Sequence, residues 1–173
     1  VGAEVSIGGF LVNFFGEESI AKIPAAQAGN YVSLYWGGAM VGRFLGSALL
    51  QRMRSETLLM YSSLGALVLV LLTIGTSGQF AMWTVLSIGL FNSVMFPNIF
   101  TLSIQGLEKY TSRGSGLLIM AIVGGAIIPL FQGLLADKTG VQLSFIITLP
   151  CYGYVLYYAL HGHKPKRILG QST

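Results

Sequence analysis

Residues 58–76 read LLMYSSLGALVLVLLTIGT, a stretch that is rich in leucine and valine and has no charged side chain. About 20 helical residues are needed to cross the roughly 30 Å hydrocarbon core of a membrane. The stretch has that length, and a helix satisfies every backbone hydrogen bond within itself, as a span in lipid requires. We interpret it as a transmembrane helix, which predicts an all-α membrane protein.

The whole chain has the same apolar character. Of its 173 residues, 53% are hydrophobic and 9% are charged, and the mean hydropathy is +0.70. Soluble proteins carry about 25% charged residues, so the composition excludes a soluble domain, a disordered protein and a coiled coil. The net charge of +4 comes from sparse basic residues between the apolar runs. It therefore indicates contact with lipid headgroups and no nucleic-acid partner.

Six apolar runs separated by polar connectors predict a single six-helix bundle over residues 1–173. The predicted helices cover about 1–16, 30–50, 57–76, 80–104, 114–135 and 143–161. The first run, Val1–Phe15, would rise only ~22 Å at 1.5 Å per residue, which is too short to span. We therefore expect the first helix to be truncated at its beginning.

The positions of lysine and arginine predict the orientation, because cytoplasmic loops are enriched in both. One set of connectors carries Arg52, Arg54, Lys109, Arg113, Lys164, Lys166 and Arg167, whereas the other carries only Lys22 and Lys138. The first set, and with it the C-terminus, is predicted to be cytoplasmic. Aromatic residues near the ends of the runs fit interfacial belts, and Trp36 could equally face a cavity. The residues are Tyr31, Tyr35, Trp36, Phe80, Trp83, Tyr152, Tyr154, Tyr157 and Tyr158.

Six helices with both ends in the cytoplasm match one half of a twelve-helix transporter built from two inverted three-helix repeats. Gly37-Gly38-Ala39 and Gly124-Gly125-Ala126 fall at corresponding positions of such repeats. The chain has 23 glycines, so the match is easily a coincidence. Glycine pairs also serve close helix packing.

Glu4 is the one acidic residue inside an apolar run. An ionisable group in the bilayer core costs a few kcal/mol and by default suggests a function. Glu4 is therefore a candidate proton carrier or acceptor for substrate hydroxyls, although an interfacial or structurally paired carboxyl is the alternative. Asn13 lies half a turn out of phase with Glu4, and a bend or unwinding at Gly8-Gly9 would be needed to bring both to one cavity.

The fourth run contains FNSVMFPNIFTLSI, in which Asn92, Phe96, Ile99 and Ser103 share one helical face. Asn92 and Asn98 could bind sugar hydroxyls, and Phe96 could stack on a sugar ring. Hydrogen bonds between helices are the alternative role of both amides. Pro97 is predicted to kink the helix beside a transport cavity, as part of a gate.

Arg43, inside the second run, either gates the cavity or extends toward the cytoplasmic interface. Gln132 and Pro129 are candidates for the outer mouth, with packing as the simpler role. His161 and His163 are a weak metal signal, and we predict no metal. The sequence has no constellation typical of enzyme chemistry and predicts no cofactor.

Four stretches resemble the fucose–galactose–glucose:proton symporter family of the major facilitator superfamily. They are VGAEVSIGGFLVNFF (1–15), GNYVSLYWGGAMVGRFLGS (29–47), GLFNSVMFPNIFTLSIQGL (89–107) and GSGLLIMAIVGGAIIPLFQGLLAD (114–137). The resemblance is to the C-terminal half, helices seven to twelve. The glucose/galactose branch is closer, because it commonly carries glutamate at the position of Glu4, where the fucose branch has glutamine.

The resemblance implies a bacterial inner-membrane importer of a hexose that works by alternating access with a proton or a sodium gradient. It carries over Glu4, Asn13, Asn92 and Phe96 as candidate sugar contacts, and it places Arg43 near a gating motif whose usual pattern the chain does not keep. The family's proton-coupling acids lie in the N-terminal half, so a missing partner half is expected. Two alternatives stay open, which are a transporter of another solute, such as a drug or metabolite exporter, and a truncated membrane protein that does not transport.

Overall fold

The computed structural model describes residues 1–162, which form an all-helical bundle. His163 and the basic residues Lys164, Lys166 and Arg167 of the expected cytoplasmic tail lie outside the described residues. The helices are α1 (Gly2–Gly16), α2 (Ala25–Leu50), α3 (Ser55–Gly75), α4 (Gly78–Ile104), α5 (Thr111–Met120), α6 (Gly124–Thr139), α7 (Val141–Ser144) and α8 (Thr148–Tyr157).

Short 3₁₀ turns join the last four helices into two long segments. One segment runs over Glu108–Thr139 and contains α5 and α6, and the other runs over Val141–Gly162 and contains α7 and α8. The described chain thus has six helical segments. The 3₁₀ turns at Ala121–Val123 and Phe145–Ile147 interrupt the regular helix within apolar sequence, where hydropathy gives no signal for them.

Four of the six segments in residues 1–162 are long and apolar enough to cross a membrane. They are α3, α4 and the two long segments. The helix α1 has 15 residues, and α2 has 26 residues but is less apolar. Glycines together with Gln27, Asn30 and Arg43 lower the hydropathy of α2. It begins at Ala25, directly after Pro24 and earlier than the apolar run suggests.

Neighbouring helices pack across the two halves of the bundle. Helix α4 packs mainly on α2 and α3, whereas α1 packs on α6 and α2, and α3 packs on α8. The first three-helix unit consists of α1, α2 and α3, and the second consists of α4 and the two long segments. The first helix of each unit lies against the second helix of the other, α1 on α6 and α4 on α2, as inverted repeats would place them. The apolar core includes Phe14 and Phe145, whose rings meet edge to face at 5.3 Å.

Glycines on α2 bring it close to α4. A Cβ on Gly42 would overlap the carbonyl oxygen of Leu90, and one on Gly46 would lie 2.8 Å from the side chain of Val94. Such contacts leave no room for any larger residue. The Gly37-Gly38 pair is different, because a Cβ at either position would have nothing within 4 Å apart from its chain neighbours and the backbone of α2 itself. That pair therefore serves no close packing within residues 1–162.

Side-chain caps tie helix ends together at one end of the bundle. Gln142 Nε2 donates to the carbonyl oxygens of Thr73, at 2.8 Å, and of Thr76 at the end of α3. Glu17 Oε1 accepts from the backbone N–H of Val141 at 2.9 Å, where α7 begins. These bonds satisfy backbone groups that helix ends leave unpaired.

Candidate functional site

A cavity of about 160 Å³ lies where the beginning of α1, the middle of α4, the beginning of α6 and the middle of α8 meet. Its wall is mostly apolar and includes Glu4, Asn92, Phe96, Ile99, Cys151 and Tyr152. An apolar cavity with a few polar groups is the usual form of a small-molecule site. Three of the predicted substrate contacts, Glu4, Asn92 and Phe96, therefore line one space.

The predicted face of α4 is confirmed. Asn92, Phe96 and Ile99 line the cavity, and Ser103, one turn further on, shares a 2.7 Å hydrogen bond with the hydroxyl of Tyr158. Helical periodicity alone was sufficient to place them, because residues at this spacing stay on one side of a helix whatever it packs against.

Asn92 joins three other helices through a chain of hydrogen bonds. Its Oδ1 accepts from the hydroxyl of Tyr152 on α8 at 2.8 Å, and its Nδ2 donates to the hydroxyl of Tyr35 on α2 at 3.1 Å. Tyr35 in turn donates to the backbone carbonyl of Glu4 on α1 at 3.3 Å. The amide thus has both predicted roles available to it, because it lines the cavity and also connects helices.

Tyr35 and Tyr152 correct one expectation. Both were expected in interfacial belts, yet they are 0% and 2% exposed and bond to Asn92 inside the bundle. A buried tyrosine needs a partner for its hydroxyl, and Asn92 is that partner. The residues lie 57 and 60 positions from Asn92 in sequence, so no local pattern could have joined them.

The bend at Gly8-Gly9 that would be needed to bring Asn13 to the side of Glu4 is not present in this structure. The helix α1 is continuous from Gly2 to Gly16, and Asn13 is exposed on its outer face. Gly8 does not unwind the helix; it makes room for Trp36 and Tyr35, whose rings would lie 3.0 and 3.3 Å from a Cβ there. The glycine serves packing between α1 and α2, so Asn13 stays on the opposite side.

Asn98 is buried away from the cavity wall. It is 2% exposed. Within residues 1–162, its Nδ2 is the one buried side-chain polar atom without a hydrogen-bond partner. Pro97, next to it, is exposed within α4. The structure therefore does not bring Asn98 together with Glu4, Asn92 and Phe96.

Arg43 is exposed on α2, next to Gly42 at the contact with α4. The side chain lies outside the cavity wall. Its two predicted roles, gating and extension toward the interface, both remain predictions.

A second buried polar group joins α1, α6 and α7. Ser6 Oγ donates to Gln132 Oε1, and Gln132 Nε2 donates to Ser144 Oγ at 3.2 Å, with all three residues 0% exposed. Of the two roles considered for Gln132, a bond between helices is the one seen here. Such hydrogen bonds hold membrane helices together.

The arrangement defines a class of protein. Two three-helix units that pack on each other, α1 on α6 and α4 on α2, are the layout of one half of a major facilitator transporter. Comparison with solved structures gives the same fold, because the E. coli fucose:proton symporter superimposes with a TM-score of 0.90 at 26% identity. The match covers 95% of this chain and 40% of that one.

Comparison with curated sequences gives the more particular relationship. The chain is 50% identical over 164 residues to a glucose/galactose transporter of Brucella abortus and 42% identical over 169 residues to a putative glucose/galactose transporter of Helicobacter pylori. No protein-family model matches. The resemblance to the fucose–galactose–glucose:proton symporters is thus confirmed, and these relatives are transporters. Both matches span 95% of this chain but only 40% and 41% of those relatives' length.

Proposed function

We propose that the chain is the C-terminal six-helix half of a hexose importer, with glucose or galactose as its substrate. The observation that carries the proposal is the 50% identity, over nearly the whole chain, to a protein named glucose/galactose transporter. The fucose relatives are more distant, at 27% and 28% identity. Fucose is therefore the less favoured hexose.

The cavity supports this substrate class by its chemistry. Glu4 supplies a carboxylate and Asn92 an amide, both of which bind hydroxyl groups, and Phe96 supplies an aromatic face for the apolar side of a sugar ring. We propose these three as sugar contacts. Asn13 and Asn98 lie away from the cavity, so we do not include them in the proposed site.

We propose alternating access driven by a proton gradient across the bacterial inner membrane, with the C-terminus in the cytoplasm. The relatives that are named with a coupling ion are L-fucose-proton symporters, which favours a proton over sodium. Transport requires the partner N-terminal half, since the curated relatives are more than twice as long as the match. Gating by Arg43 and Pro97 belongs to the same proposal.

Counterflow in liposomes tests the proposal on the full-length protein. Liposomes loaded with unlabelled glucose should accumulate labelled glucose or galactose transiently, and external hexose should compete with the label. A drug or metabolite transporter would show no hexose counterflow, and hexose would not inhibit transport of the drug or metabolite. A protein that does not transport would show neither. Either result would contradict the proposal.

A further inference from the structure

We propose that Tyr152 is a specificity-determining residue of the sugar cavity, where its hydroxyl oxygen accepts a hydrogen bond from one substrate hydroxyl. Asn92, besides its proposed contact with the sugar, sets this direction together with Tyr35, which is a positioning residue only. The inference rests on the proposed function and adds one contact to it.

The direction of the hydrogen-bond chain follows from its fixed end. The backbone carbonyl of Glu4 can only accept, so Tyr35, 3.3 Å away, uses its one hydroxyl hydrogen there. The Tyr35 oxygen then accepts from Asn92, which must present Nδ2 at 3.1 Å. An amide that presents its nitrogen to Tyr35 presents its oxygen to the opposite neighbour.

That opposite neighbour is Tyr152, whose hydroxyl lies 2.8 Å from Asn92 Oδ1. An amide oxygen only accepts, so the Tyr152 hydrogen is committed to Asn92. What remains on the Tyr152 hydroxyl is acceptor capacity. Tyr152 lines the same cavity as Glu4 and Phe96. In the proposed contact, a cavity ligand meets an oxygen that can accept but not donate.

Tyr35 stands behind this arrangement. It is 0% exposed and is not part of the cavity wall, so it acts on a ligand only through Asn92. Without the Tyr35 hydroxyl, the Asn92 amide loses the neighbour that fixes which way it points.

Glucose analogues with one altered position test the contact on the full-length protein. The probes are monodeoxy sugars, which lose a hydroxyl, and monofluoro sugars, whose fluorine cannot donate. In wild-type protein, one ring position should lose about 3- to 10-fold in affinity with both substitutions, as expected for one neutral hydrogen bond. Tyr152→Phe should weaken glucose binding by a similar factor. In this variant, analogues altered at that ring position should bind no more weakly than glucose does.

Tyr158→Phe is the matched control. It also removes a tyrosine hydroxyl that bonds α4, at Ser103, but it lies outside the cavity wall. It should keep the wild-type analogue profile. A general loosening of α4 would instead change both variants alike, and that result would contradict a specific role of Tyr152.

Tyr35→Phe tests the positioning role and also covers the case in which Tyr152→Phe does not fold. In this variant the Asn92 amide can turn, so that Tyr152 can donate its hydrogen to the sugar. At the ring position that contacts Tyr152, fluorine should then be tolerated better than loss of the hydroxyl group. The inference would be overturned if the affinity loss from Tyr152→Phe and the loss from altering the sugar added independently. It would also be overturned if the wild-type protein tolerated fluorine at that ring position. If wild-type protein binds glucose but the Tyr152 variant is indistinguishable from it, only the inference fails. If wild-type protein binds no hexose, the proposed function fails as well.

Discussion

Glu4 is the acidic side chain on the wall of the cavity. It is half-buried on the wall, next to Asn92 and Phe96. Its backbone carbonyl is already used by Tyr35, whereas its carboxyl group stays available to a ligand in the proposed site. One residue therefore combines a structural contact through its backbone with a proposed functional contact through its side chain.

Glu4→Gln should weaken hexose binding by the full-length protein roughly 10- to 100-fold. The substitution keeps the size of the side chain but replaces one carboxyl oxygen by an amide nitrogen that donates instead of accepting, and a hydrogen-bonding group left without its partner costs about 1–3 kcal/mol. Calorimetric titration with glucose and galactose measures the change. Glu56→Gln, which alters an ion pair with Arg54 at the beginning of α3, is the control and should bind as wild type does. Unchanged binding by Glu4→Gln would show that the carboxyl group is structural.

The sequence predicted part of this site because part of it depends on one helix only. Asn92, Phe96 and Ile99 follow from helical spacing on α4. The two tyrosines that hold Asn92 come from α2 and α8, and their orientation depends on how three helices pack. The bend that would have brought Asn13 to the side of Glu4 could not be judged from the sequence for a related reason. Gly8 is compatible both with unwinding and with close packing, and the neighbouring aromatic rings decide between the two.

At the scale of helices, the α2–α4 contact depends on backbone approach. Gly42 and Gly46 are one turn apart on α2, and both meet α4 directly. In lipid, helices associate through such close packing and through hydrogen bonds, because apolar side chains gain little by leaving an apolar solvent. The sequence showed that α2 was rich in glycine, but it did not show which glycines face a neighbour.

Gly42→Ala should lower the thermal unfolding midpoint of the protein in detergent. The new methyl group would overlap Leu90 backbone atoms and the Ser93 hydroxyl, and overpacking of this kind costs about 1–3 kcal/mol. Gly153→Ala on α8 is the matched control, because its added methyl group would have nothing within 4 Å apart from its chain neighbours and the backbone of its own helix. It should be neutral or slightly stabilising, since alanine favours helix over glycine. Equal midpoints for the two variants would contradict the packing role of Gly42.

At the scale of the whole molecule, large apolar side chains cover the outside of the bundle. Phe44, Leu117 and Met120 are 70%, 69% and 71% exposed. Exposed apolar patches of this kind mark contact with lipid or with another protein surface. The described residues therefore form a multi-pass membrane protein, with surface left for lipid and for the proposed partner half.

The two ends of the bundle differ in charge, which predicts the direction of insertion. Arg52, Arg54, Lys109 and Arg113 lie at one end, and Lys22 and Lys138 lie at the other. In the full-length protein without other accessible cysteines and with Cys151→Ser, a cysteine at Met53 should react with a membrane-impermeant maleimide only after the cells are opened. A cysteine at Lys138 should react in intact cells. The reverse pattern would contradict the predicted orientation.

The tie between Gln142 and the end of α3 has a consequence for biosynthesis. Gln142 lies 69 and 66 residues after Thr73 and Thr76, whose carbonyl oxygens it satisfies. At about 5–20 residues per second, a ribosome makes that glutamine roughly 3–14 s after α3 is complete. During this interval the C-terminal carbonyl groups of α3 depend on water, on lipid headgroups or on the insertion machinery. The end of α3 therefore reaches its final hydrogen bonding only when the last helical segment has begun to emerge.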